Sequence, residues 1–274
     1  MKKLIVANWK MLPTTLAEAE GILEFTNNYL ESLSESKEFS LVFCPPFVFI
    51  EEVAKILKMS HFEHEAFLGA QDIAIDDKTT LTGEVSGQML AKLGVRYVII
   101  GHSERRWKLG ESDEVVNKKL KSALQNELIP IVCIGERTRL RPVLRQRLRR
   151  AKQGFGGQTR DWKDFLRDQT MATFEGLTAD EVGKCIIAYE PVWAISTNPS
   201  ARPDTSQSAL ESMKIIKETL TFNFQLSTLN LFLYGGSVNS KNAGDFLKEK
   251  EIDGVLIGGA SVNKEEFVKV LQLV

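Results

Sequence analysis

Short apolar runs recur along the chain at residues 4–7, 40–44, 67–70, 98–101, 129–135, 185–189, 231–236 and 254–259. They are continuous rather than alternating. A strand with one wet face alternates apolar and polar residues, whereas a run that is apolar throughout has both faces covered, as in a parallel sheet flanked by helices. Between the runs lie helix-period stretches. Ala209, Met213, Ile216 and Leu220 step by four, three and four, and Val116, Leu120, Ala123 and Leu124 draw a second stripe. Strands that alternate with helices predict an α/β fold. Eight of them suggest a closed (β/α)8 barrel, with an open doubly wound sheet as the rival. No linker divides the chain, so residues 1–274 are expected to form a single barrel domain.

Composition agrees with that pattern. A length of 274 residues is near that of such a barrel, and 43 % hydrophobic with 26 % charged residues is the make-up of a soluble globular protein. The net charge of −1 argues against nucleic acid or an anionic membrane as a bulk electrostatic partner. The start, MKKLIVANWK, lacks the long apolar stretch and cleavage site of a signal peptide, and no run of 18 apolar residues occurs. Cys44, Cys133 and Cys185 lie inside apolar runs without metal-ligand spacing and read as reduced packing residues. A cytoplasmic location is therefore expected.

One region does not fit a minimal barrel. An extended Arg-rich segment at about 137–180 separates runs five and six and contains RTRLRPVLRQRLRRAKQGFGG. As an anion or RNA patch it would make the chain a binding protein on an inactive barrel, with salt-dependent RNA binding and no turnover. With the total charge balanced, a solvated helix face followed by a glycine loop is the favoured reading.

Active sites of such barrels form at the C-terminal ends of the strands. There the sequence places Asn8 and Lys10 after run one, His102 and Glu104 after run four, and Glu190 after run six. Gly235-Gly236-Ser237 and Gly258-Gly259 follow runs seven and eight. Singly, each has a bland explanation: a snorkelling lysine, a structural histidine, a capping glutamate, glycines that close turns. Their gathering on one face is hard to explain by structure alone. Glycine turns let an anion approach backbone N–H groups, and loops after strands seven and eight commonly hold phosphate. Asn263 and Glu266 look like a capping box opening the last helix. With no metal cluster and no nucleotide fingerprint in the sequence, the chemistry is expected from side chains, without cofactor. A carboxylate base, an imidazole and a lysine suit proton abstraction beside a carbonyl on a small phosphorylated molecule. Another phosphosugar barrel enzyme, of aldolase or epimerase type, is the alternative. A Schiff-base aldolase could use Lys10, which borohydride trapping would detect.

NWK (8–10), GHSERR (101–106), CIGE (133–136), AYEPVWAI (188–195), YGGSV (234–238) and GGAS (258–261) closely resemble the motifs of the triosephosphate isomerase family, in order along the chain. The resemblance implies a TIM barrel, usually homodimeric. It also implies interconversion of dihydroxyacetone phosphate and D-glyceraldehyde 3-phosphate through an enediolate, in glycolysis and gluconeogenesis. That family is the standing illustration of a carboxylate base beside a neutral imidazole, so these two roles are carried over rather than deduced. By resemblance, Glu190 is the proton shuttle and His102 the electrophile, with Asn8 and Lys10 on the substrate. Backbone N–H groups of Ser196, Ser237, Gly258 and Gly259 grip the phosphate. Thr82-Gly83-Glu84 reaches toward a partner subunit, beside Asn8 and Glu104. Residues 191–201 form a lid hinged at Pro191-Val192-Trp193, with Trp193 meeting Glu136 and Tyr189 when the lid is open. The lid departs from the family pattern: Ser196 and Asn198 stand where glycines are usual, and Pro199 is added.

Overall fold

The structure is a computed structural model and describes residues 2–33, 39–59, 66–139, 161–195, 198, 201–226 and 230–274. Eight parallel strands close into a barrel in sequence order: β1 (Lys3–Asn8), β2 (Phe39–Cys44), β3 (Ala66–Ala70), β4 (Tyr97–Ile100), β5 (Ile129–Ile134), β6 (Ile186–Tyr189), β7 (Phe232–Tyr234) and β8 (Gly254–Ile257). Closure is direct. Leu4 pairs with Gly254 and Ala7 with Ile257, so the first strand lies against the last. The open doubly wound alternative is thereby excluded. The strands stop earlier than the apolar runs. Gly235, Gly236, Gly258 and Gly259 lie past the strand ends, where they shape loops.

Among the described residues the α-helices are α1 (Leu16–Glu31), α2 (Ile50–Met59), α3 (Gly87–Lys92), α4 (Ser103–Lys108), α5 (Asp113–Gln125), α6 (Trp162–Thr173), α7 (Ala179–Gly183), α8 (Ser206–Phe224), α9 (Ala243–Leu247) and α10 (Lys264–Leu271). Capping side chains mark where many of them begin: Thr15 accepts from Glu18 N–H, Ser112 from Val115 N–H, and Asn263 from Glu266 N–H. The expected reciprocal box at Asn263 is half there, because Glu266 uses its own carboxylate to accept from Ser240 N–H. Both predicted stripes face the core: Ala209, Met213, Ile216 and Leu220 of α8 are buried, as are Val116, Leu120 and Ala123 of α5. The second half of the Arg-rich segment is helical, as α6 and α7, while Arg141, Arg145, Arg147, Arg149 and Arg150 lie outside the described residues.

Strand parity explains why the apolar runs are continuous. Leu4, Val6, Ile131, Cys133, Ile186, Ala188, Leu233 and Leu256 pack together inside the barrel. Their alternate neighbours Ile5, Ala7, Val132, Ile187, Phe232 and Val255 pack against the helices. Two residues beyond the inward Val6, Cys133, Ala188, Leu233 and Leu256, the same parity reaches Asn8, Gly135, Glu190, Gly235 and Gly258. The topmost layer of the barrel therefore holds one amide, one carboxylate and three residues without side chains. Absent side chains leave room, and that room is the site.

Candidate active site

A cleft of about 300 Å³ opens at this end of the barrel, lined by Asn8, Lys10, His102, Glu190, Ile195, the 235–239 loop and Gly258–Ala260. It brings together residues from β1, β4, β6, β7 and β8 that are scattered over the whole chain.

Glu190 is 2 % exposed. Its carboxylate accepts from Ser103 N–H at 2.7 Å and from Ser103 Oγ at 2.8 Å, and lies 3.0 Å from His102 Nε2. Ser103 lies within a quoted motif, but its role was not legible in the sequence, because nothing local links it to a residue 87 positions away. His102 caps α4 with its own ring: Nδ1 accepts from Glu104 N–H at 3.2 Å. A nitrogen that accepts carries no proton, so this geometry fits a neutral ring with its proton on Nε2, directed at Glu190.

Lys10 has a left-handed backbone, φ +54°, which is uncommon for a side chain with a Cβ. Two side chains hold it there. Asn8 Oδ1 accepts from its N–H at 3.1 Å, and Gln71 donates from Nε2 to its carbonyl at 2.8 Å and to Cys44 O at 2.9 Å. This conformation carries the ammonium across to Glu104 Oε1 at 3.1 Å and the Lys10 stem against Gly258. A Cβ on Gly258 would come within 3.1 Å of Lys10 Cε. Burial pushes the Glu104 carboxyl up, but the Lys10 and Lys108 ammonium groups pull it below the usual carboxylate range. Gln71 was not anticipated from the sequence; no periodic or motif signal marks it.

The Gly258–Gly259 turn enters a one-turn helix, Gly259–Ser261, and not a long one; α10 starts later, at Lys264. Likewise Gly235–Ser237 is separated from α9 by a turn at residues 240–242. Neither glycine pair opens a long helix directly; both shape loops that line the cleft.

The segment expected to hinge the lid is tied to Glu136, just past β5. Trp193 Nε1 and Tyr189 OH both donate to Glu136 Oε1, each at 2.9 Å, and Val192 N–H donates to Glu136 O at 3.1 Å. Burial raises the Glu136 carboxyl above its ordinary range, against the pull of the Trp193 and Tyr189 donors. Asn198, where the family pattern has glycine, donates from Nδ2 to Val192 O at 3.2 Å, which a glycine could not do. Ser196 lies outside the described residues.

Comparison with known proteins bears on the whole chain. The family model described as triosephosphate isomerase matches residues 3–274. A curated triosephosphate isomerase of Caldanaerobacter subterraneus subsp. tengcongensis is 39 % identical over 98 % of both chains. One from Dictyoglomus thermophilum is 39 % identical over 99 % of both. The solved triosephosphate isomerase of Bartonella henselae is 29 % identical, covers 100 % of this chain and 99 % of its own, and superposes with a TM-score of 0.76. A barrel closed in sequence order, a cleft built from five strand ends, and similarity from end to end lead to one conclusion: this chain belongs to the triosephosphate isomerase family.

Proposed function

We propose that the cleft interconverts dihydroxyacetone phosphate and D-glyceraldehyde 3-phosphate, with Glu190 moving the proton and His102 polarising the carbonyl. The observation that carries this reading is the pairing of a buried carboxylate with an imidazole whose Nδ1 accepts a backbone N–H. A neutral imidazole with its proton on Nε2 can donate a hydrogen bond to an oxygen that gains charge. Glu190 and His102 occupy each other in this state. A substrate oxygen can reach Nε2 only after Glu190 lets go, so the carboxylate leaves Ser103 and His102 as the substrate enters. Because Pro191–Trp193 directly follow Glu190, movement of the hinge carries the base with it. Asn8 and Lys10 orient the substrate oxygens, and the Glu104 pair suits a Lys10 that acts as an ammonium, not as a Schiff-base amine.

The phosphate is assigned to the opposite wall, against Ser237, Gly258 and Gly259, with the Ser196 N–H joining from the lid. Closure over the cleft excludes water and protects the enediolate from losing phosphate. Glu190→Asp withdraws the carboxylate by about 1 Å and is expected to lower kcat on the order of 10²-fold with KM little changed. A coupled isomerase assay giving near-normal kcat would remove Glu190 as the base.

A second copy of the chain is the proposed partner. The Thr82-Gly83-Glu84 loop is exposed, with Gly83 at φ +88°, and so are Leu81 just before it, Met89 on α3, Met11 and Val48. Apolar side chains of that size left in water are the usual mark of a covered surface. A cytoplasmic location is part of the same proposal, as is a place in glycolysis and gluconeogenesis; among the described residues no helix is long and apolar enough to cross a membrane.

A further inference from the structure

We infer that Asn242 is a positioning residue for the phosphate-facing loop, an inference that rests on the assignment of that loop to the substrate phosphate. Asn242 is outside the cleft lining and immediately precedes α9. Asparagine at that place ordinarily accepts from the first N–H groups of its own helix. Here its side chain makes no such bond. It turns backward, and Oδ1 accepts from Asn239 N–H at 2.9 Å while Nδ2 donates to Ser237 O at 2.8 Å. Both halves of one amide are therefore spent on the two ends of Ser237–Val238–Asn239, and all three residues line the cleft.

The consequence follows from peptide geometry. In a trans peptide the C=O and the N–H point in opposite directions. With Ser237 O drawn back to Asn242, the N–H of Val238 in the same peptide is turned the other way. Among the described residues nothing accepts from that N–H. The loop is also anchored downstream, because Asn239 Oδ1 accepts from Lys241 N–H at 2.9 Å and Glu266 from Ser240 N–H at 2.7 Å. Those anchors hold residues 240–242; Asn242 alone among these side chains reaches back to residue 237. Just before Ser237, the Gly236 backbone lies close to the Tyr234 ring, since a Cβ there would lie 2.2 Å from Tyr234 Oη. Asn242 thus sets the direction of backbone dipoles at the phosphate end while standing away from the carbonyl end, where Glu190 and His102 work. The effect on the reaction is on binding.

The test compares wild type, Asn242→Ala and Asn242→Asp in three measurements: kcat and KM, the inhibition constant of inorganic phosphate, and the thermal midpoint. Asn242→Ala is expected to raise KM and the phosphate inhibition constant together by about tenfold, the order for one misdirected hydrogen bond to a charged ligand, with kcat within about twofold. Asn242→Asp keeps the acceptor for Asn239 and loses the donor to Ser237. Read at high salt to screen its added charge, it should show the same joint rise, and it serves alone if the alanine variant does not fold. Wild-type KM and phosphate inhibition in either folded variant, with only the midpoint lowered, would leave Asn242 a merely structural residue and overturn the inference. A fall in kcat at unchanged KM would overturn it as well. If phosphate fails to compete with substrate in the wild type, the assignment of the loop fails first and the inference falls with it.

Discussion

Gly135 is the position at which a single methyl group should separate catalysis from binding. It lies on the inward parity past β5, and its N–H donates to Gln169 Oε1 of α6 at 2.9 Å. A Cβ built on it would sit 1.9 Å from the backbone oxygen of Glu190 and 2.5 Å from its carbonyl carbon. Contacts under 3.0 Å are essentially never made by real Cβ atoms, so in Gly135→Ala the two backbones must part by about 1.1 Å. No flexible side chain can absorb this. Glu190 N–H is bonded to Ile134 O at 2.8 Å and Val192 N–H to Glu136 O at 3.1 Å, so the contact is pinned on both sides and the displacement falls on Glu190. A misplacement of about 1 Å at a reacting group costs on the order of 10²-fold. The expected result is kcat lower by about that factor, with KM and phosphate inhibition near wild type because the proposed phosphate wall is elsewhere. Overpacking should also cost about 1–3 kcal/mol of stability. Gly69→Ala is the control. Its Cβ would meet the Cys44 and Val42 side chains at 2.4 and 2.8 Å and not the Glu190 backbone, so it should lose stability and keep more of kcat than Gly135→Ala. A folded Gly135→Ala protein with near-normal kcat would refute the argument that this backbone contact places the base.

Three further outcomes are expected. Because Glu104 titrates below its ordinary range when folded, its pairing contributes stability above the unfolded value of about 4.3, and that contribution is lost as pH falls through the lowered folded value. Glu104→Gln should flatten that acid limb of the stability curve, and an unchanged limb would contradict the assignment. Lys119 is buried and bonds Asp72 and Glu111 at 2.6 Å each, so Lys119→Met should cost about 3 kcal/mol in urea unfolding by leaving both carboxylates to Arg105 alone. A loss under about 1 kcal/mol would show that Arg105 suffices. Thr82→Arg should yield monomers of low activity in sedimentation velocity, whereas a fully active wild-type monomer at assay concentration would remove the premise.

Strand number, barrel class and much of the cleft lining were legible in the sequence for a local reason. Burial on both faces makes each strand a continuous apolar run, and the polar groups that line the cleft stand within a few residues of where those runs end. Asn8, Lys10, His102 and Glu190 could be read off in this way, and the quoted motifs supplied the roles proposed for them. The arrangement among them was not local. That Ser103 holds Glu190, that Gln71 holds Lys10 in a left-handed backbone, and that Gly135 abuts the Glu190 carbonyl all depend on which strands become neighbours and in what register. Sequence spacing carries periodicity along one element. Register between strands is set by hydrogen bonds and packing across the closed barrel, and these place the glycine just past β5 against the glutamate just past β6 only once the sheet has formed.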